Sequence, residues 1–142
     1  MNHNIYFDFY IDAPKQTVFE AFCLPEHLDH WWTLKSSGQP ELGAIYNLNF
    51  TDQYNWFAEV TKVKTNTYFY LSMTEADANW KPTTFGITLE DHQNKTLLKF
   101  SHTNWPEQNH HFRFSAFCWS QLLLGLKNYI EKGVIIPFEN RN

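Results

Sequence analysis

I-D-A-P-K-Q-T-V-F-E-A-F-C-L-P-E-H-L-D-H-W-W, from Ile11 to Trp32, sets the route of the chain. Just before it, Ile5, Phe7, Phe9 and Ile11 alternate with Tyr6, Asp8 and Tyr10, the period of a half-buried strand over Asn4 to Ile11. Pro14 suits the first turn of a helix, where a missing N–H costs nothing. Val18, Phe19 and Phe22 give that helix its apolar stripe. Pro25 cannot lie inside it, so the helix ends near Cys23 and a second one, carrying His27 and Leu28, opens at Pro25. Trp31 and Trp32 close the stretch. Neighbours at a helix end face different ways, so one ring is expected to pack, while the other caps a cavity entrance or faces solvent.

Downstream, Gly38, Pro40 and Gly43 mark a loop, and strand-like runs follow. They are Ala44 to Phe50, Trp56 to Lys64, Thr67 to Thr74, Thr84 to Glu90 and Thr96 to Thr103. Short connections at Thr65-Asn66 and Asp91 to Lys95 imply an antiparallel meander. The period then changes. Phe112, Ala116, Trp119, Leu123, Leu126 and Ile130 recur at steps of four and three, the stripe of a long amphipathic helix. Gly133 fits its C-terminal cap and Pro137 prevents its continuation. Gly125, inside the helix, is expected to permit close packing. The order is strand, two short helices, five strands and one long helix. That predicts an α+β fold in which an antiparallel curved sheet of about six strands wraps the C-terminal helix. Residues 1–142 read as one domain.

A net charge of −4 with scattered Lys and Arg argues against a nucleic-acid partner. Two cysteines, Cys23 and Cys118, make no disulfide framework and read as buried thiols. No leader-like or spanning apolar run occurs, so no membrane span is expected, and the expected compartment is the cytoplasm. Aromatic residues make up 18% of the chain, more than a small core ordinarily needs, and some are expected to line a cavity.

The matching pieces A-P-K-Q-T-V-F-E-A-F (Ala13 to Phe22) and P-E-H-L-D-H-W-W (Pro25 to Trp32) resemble a known family. Gly43, T-L-L-K-F-S-H-T-N-W (Thr96 to Trp105) and W-S-Q-L-L-L-G-L-K-N-Y-I-E-K-G (Trp119 to Gly133) extend the match over nearly the whole chain. The family is the helix-grip, START/birch-pollen-allergen-like (SRPBCC) superfamily. Within it, the chain resembles the group related to the C-terminal domain of the activator of the ninety-kilodalton heat-shock protein ATPase. The resemblance implies an apolar cavity between sheet and long helix that takes a small hydrophobic molecule. It also makes a chaperone the second candidate partner, although the N-terminal domain that helps the eukaryotic activators bind has no room here.

Inward alternation supplies the cavity candidates: Phe69, Leu71 and Met73, then Phe85 and Ile87, then Phe100, His102 and Trp105. Trp32, Phe50 and Trp56 are placed with them, and Phe117 and Gln121 are expected to reach the same space from the long helix. For each, plain core packing is the competing role. His102 falls on the apolar face of its strand, either as a hydrogen-bonded core-edge residue or as a polar anchor at the pocket mouth. A cyclase- or hydrolase-like enzyme using His102 is a further reading, but no acid can be paired with it from sequence. His27 and His30 lie three apart with Cys23 nearby, but Pro25 breaks the face and no fourth ligand completes a tetrahedral set. No metal and no cofactor are expected, catalytic residues are not assigned, and the oligomeric state is left open.

Overall fold

The computed structural model describes residues 2–141. In chain order the elements are β1 (His3–Ile11), α1 (Lys15–Cys23), α2 (Pro25–Trp31), β2 (Lys35–Ser37), β3 (Ile45–Thr51), β4 (Tyr54–Lys64), β5 (Tyr68–Glu75), β6 (Thr84–His92), β7 (Lys95–Trp105) and α3 (His110–Lys132). A single 3₁₀ turn, Phe138–Asn140, follows. The seven strands form one antiparallel sheet in the order β1-β7-β6-β5-β4-β3-β2. This is the helix-grip α+β architecture, with one strand more than the sequence pattern reveals. The extra strand, Lys-Ser-Ser, is too short and polar to leave a periodic signal; its pairing with β3 defines it.

Leu24 joins the two short helices. It is extended (φ −83°, ψ 130°), serving as C-cap of α1 and N-cap of α2, as expected of a residue before proline. Trp32 then leaves the helix (φ −131°, ψ −72°). That bend turns both rings inward, Trp31 at 3% and Trp32 at 5% exposure, so neither takes the solvent-facing alternative. Their rings stack 6.0 Å apart, and the Trp31 indole N–H donates to the Ala21 carbonyl at 2.9 Å.

Register shifts on β3 and β4, between Asn49 and Thr51 and between Val60 and Lys62, mark bulges that curve the sheet. The β6–β7 hairpin is tighter than the five-residue link read from sequence. Its strands run on to His92 and Lys95, and Gln93 and Asn94 turn the chain with φ of 47° and 72°. α3 starts at Asn109, whose side chain accepts from the Phe112 N–H at 3.0 Å, and stops at Gly133 with φ 69°. Its buried face carries Phe112, Ser115, Trp119, Leu123 and Leu126. A Cβ on Gly125 would meet nothing within 4 Å, so close packing does not explain that glycine. Gly86 is the opposite case: a Cβ there would run into the Phe69 carbonyl and the Tyr70 ring.

Candidate functional site

Beneath α3, the inward residues of β5, β6 and β7 fill the core. Phe69, Leu71, Phe85, Ile87, Phe100 and Trp105 are buried, as are Met73 and His102. Their packing is ring on ring, for example Phe100 against Trp119 at 4.5 Å and His102 against Trp80 at 4.5 Å.

His102 is held on both sides. The Trp119 indole N–H donates to its Nδ1 at 3.0 Å, so the ring proton sits on Nε2 and donates to Thr83 Oγ1 at 2.8 Å. The Thr83 hydroxyl in turn donates to the Trp80 carbonyl. Burial pushes the imidazole well down, to about 3, with the charge of His111 adding to the effect. The ring is therefore neutral, oriented and fully engaged. It keeps neither a lone pair nor a proton for a substrate, so this geometry serves cohesion rather than acid–base chemistry.

The open space lies to one side of this packed region. A pocket of about 390 Å³ is lined by fourteen residues, eight of them Phe, Tyr or Trp. β3 and β4 contribute Phe50, Tyr54 and Trp56, and the end of α2 contributes Trp32. From α3 come Phe114, Ser115, Cys118, Trp119 and Leu122, with His111 at the rim. The segment after α3 closes the side with Phe138, Glu139 and Arg141.

Five of the rings form a closed circuit of contacts: Trp32–Phe50 at 5.4 Å, Phe50–Trp56 at 5.6 Å, Trp56–Trp80 at 4.9 Å, Trp80–Trp119 at 6.1 Å and Trp119–Trp32 at 5.1 Å. Offset and edge-to-face pairs of this kind hold aromatic walls rigid. Trp80 owes its place to Asp77, whose Oδ1 accepts from the backbone N–H groups of Asn79 (3.0 Å) and Trp80 (2.9 Å). Its indole N–H then donates to Ser115 Oγ at 3.3 Å.

Among the sequence candidates, Trp32, Phe50 and Trp56 come together at this pocket. Phe69, Leu71, Met73, Phe85, Ile87, Phe100, His102 and Trp105 lie in the packed core instead. Phe117 turns outward at 59% exposure, and Gln121 borders a separate, smaller groove beside Gly125. Both follow from the pitch of α3: its inward stripe runs through Ser115 and Trp119, and positions 117 and 121 point away. Cys118 stands half-buried in the pocket wall rather than in the core, whereas Cys23 is fully buried, its thiol pushed up to about 12 by burial.

Sequence reasoning passed over Tyr54, Trp80, Phe114, Trp119 and the segment after Gly133. D-x-N-W at Asp77 to Trp80 did carry a signal, an Asx turn followed by a large ring. The closing segment carried none, because nothing in V-I-I-P-F-E-N-R fixes where it folds back.

At the rim, His111 Nδ1 accepts from Asn79 Nδ2 at 3.2 Å, and its Nε2 faces Asp77 at 3.6 Å. Elsewhere, the Nδ1 atoms of His27 and His30 both meet the Tyr129 hydroxyl, at 2.6 and 2.8 Å, which ties α2 to α3. Among the described residues no group of three or more His, Cys, Asp or Glu is placed to hold a metal ion. Among the described residues no helix is long and apolar enough to cross a membrane.

The family described as "Activator of Hsp90 ATPase homolog 1-like protein" matches residues 12–131. Among solved structures, the chain is similar to the Aha1 dimer from Colwellia psychrerythraea: 26% identity, TM-score 0.84, covering 92% of this chain and 98% of that one. A Staphylococcus saprophyticus protein shares 24% identity with a TM-score of 0.79, over 95% of this chain and 96% of its own. CalU16 from Micromonospora echinospora, at 19% identity and TM-score 0.77 over 93% and 78% of the two chains, shares the fold. No curated protein matches the chain.

Proposed function

We propose, from the premise that the chain belongs to the Activator of Hsp90 ATPase homolog 1-like family, that it is a non-enzymatic binder of a small hydrophobic or aromatic molecule. The site is the open pocket between β3–β4, α3 and the closing segment. One observation carries this reading: a concave space of about 390 Å³ whose wall is mostly aromatic, with few polar groups. Sites of this size and character select by shape and apolar area. The pocket is also preformed, because the ring circuit that floors it is anchored in the core through Trp119 and His102. The same domain working in the cytoplasm completes the proposal.

Native mass spectrometry of the protein purified without organic additives tests it directly. The expected result is a small apolar molecule that leaves on denaturation, and apolar aromatic probes that quench the tryptophans saturably. Failure of every such probe to quench, with nothing co-purified, would reject the reading.

A second reading is a protein-interaction module. It is favoured by the outward stripe of α3, where Phe114, Phe117 and Leu124 are 53%, 59% and 56% exposed. The Colwellia psychrerythraea relative is described as a dimer. A chaperone remains the candidate hetero-partner. Sedimentation of the wild type and of a Phe117→Ser, Leu124→Ser variant tests the stripe: self-association lost in the variant supports it, and a strictly monomeric wild type that binds no chaperone removes it.

A further inference from the structure

A guanidinium is set into the aromatic wall of the pocket. Arg141 lines the pocket beside Phe138, its charge 5.8 Å from that ring's centre. A guanidinium has five N–H groups. Here Nε donates to the Ile136 carbonyl at 2.7 Å, one Nη1 N–H to the Thr33 carbonyl at 3.1 Å, and one Nη2 N–H to the Asp29 carbonyl at 3.0 Å. Among the described residues these are its hydrogen-bond partners, which leaves one N–H on each terminal nitrogen.

Among the described residues no carboxylate forms an ion pair with Arg141. Asp29 is near, but its Oδ1 accepts from the hydroxyls of Thr33 (2.7 Å) and Ser36 (2.8 Å). Asp29 and, more weakly, Glu139 act on Arg141 only through their longer-range fields. Carbonyl oxygens orient a cation without cancelling its charge. Partial burial opposes that charge and holds the guanidinium below its usual range. An anion arriving beside the guanidinium would relieve this and accept from its remaining N–H groups.

We infer that the pocket is built for an aromatic acid: a flat apolar body against Trp32, Phe50, Trp56 and Phe138, and a carboxylate or equally charged head on Arg141. The inference rests on the pocket-binding reading and goes beyond it by fixing the ligand's charge. Glu139, exposed on the same wall, works against the anion and sets a limit on affinity.

Calorimetric titration at pH 7.5 with three probes sharing one naphthyl body, 2-naphthoate, 2-naphthamide and 2-naphthylmethylammonium, tests the inference. The naphthoate is expected to bind about tenfold or more tighter than the amide, and the ammonium weakest. Arg141→Gln is expected to bring the acid-to-amide ratio to about one. Because Arg141 also ties down the closing segment, the ratio is the readout, not the absolute affinity. Glu139→Gln is expected to raise the acid-to-amide ratio severalfold. An amide or ammonium that binds as tightly as the acid overturns the inference and leaves the pocket reading standing. So does a ratio unmoved in both variants. Failure of all three probes overturns both.

Discussion

The packed cluster around His102 and the pocket beside it are made of the same residue types and share two rings, Trp80 and Trp119. In the cluster those rings meet other rings on every side, and their polar atoms are matched: the Trp119 N–H with His102, His102 with Thr83, and the Trp80 N–H with Ser115. Beyond the shared rings, the aromatic surface continues but the partners stop. Phe50, Tyr54, Trp56 and Phe114 keep part of their surface exposed. An aromatic-rich sequence therefore does not by itself mean a cavity or a core. What separates the two regions is whether facing elements come close enough to interdigitate. Around β5, β6 and β7 they do. Between β3–β4 and the N-terminal half of α3 they do not.

Acid separates the two regions most strongly. His102 is held neutral, down at about 3 in the fold against an ordinary value near 6.5 when unfolded. Its contribution to stability is thus complete above about pH 6.5 and is lost as pH falls toward 3. The size is on the order of 4 kcal/mol if the ring stays sealed. Denaturant titrations from pH 7 to pH 3, compared with His102→Phe, should show that part of the slope missing in the variant. Equal slopes would mean that water reaches the cluster and that the two regions are not so different.

Trp31 and Trp32 sharpen the contrast next. Both are buried, so Trp31→Ala and Trp32→Ala should each cost about 3–5 kcal/mol by urea unfolding. Only Trp32 also lines the pocket, so only its loss should weaken probe binding. Tyr54→Ala inverts the pattern. The side chain is 51% exposed and forms the outer wall, so stability should move by less than about 1 kcal/mol while probe affinity drops. Gly125→Ala, with open space where the Cβ would go, should raise stability by about 0.5–1 kcal/mol in thermal melts and leave the pocket untouched.

Much of the fold was legible because its signals are local. Pro14 and Pro25 bracket α1, alternation marks five of the strands and the first, and Gly133 stops α3. β2 was not legible, since three polar residues acquire strand character only by pairing with β3. The candidate site was legible only in part. Alternation tells which residues point inward, and it placed Phe69, Phe85 and Phe100 correctly on the inner face. It says nothing about whether that face meets a filled or an empty volume, which depends on the distance between elements far apart in sequence. Trp32, Phe50 and Trp56 share the pocket because α2, β3 and β4 converge at one end of the sheet. Arg141 joins them because the carbonyls of Asp29 and Thr33, on and just after α2, hold the tail of the chain there. Neither fact has a local pattern.

The two shared rings also divide the molecule by what it can survive. A substitution on the core side of Trp80 and Trp119 disturbs a network in which each polar atom depends on the next. One at an exposed rim residue on the other side, unlike one at Trp32, changes a surface on which little else rests. Tyr54, Phe114, Phe138 and Glu139 can therefore be exchanged in combination without unfolding the domain. The same scaffold could thus drift from one ligand to another through rim changes alone, with its stability kept constant behind an indole partition.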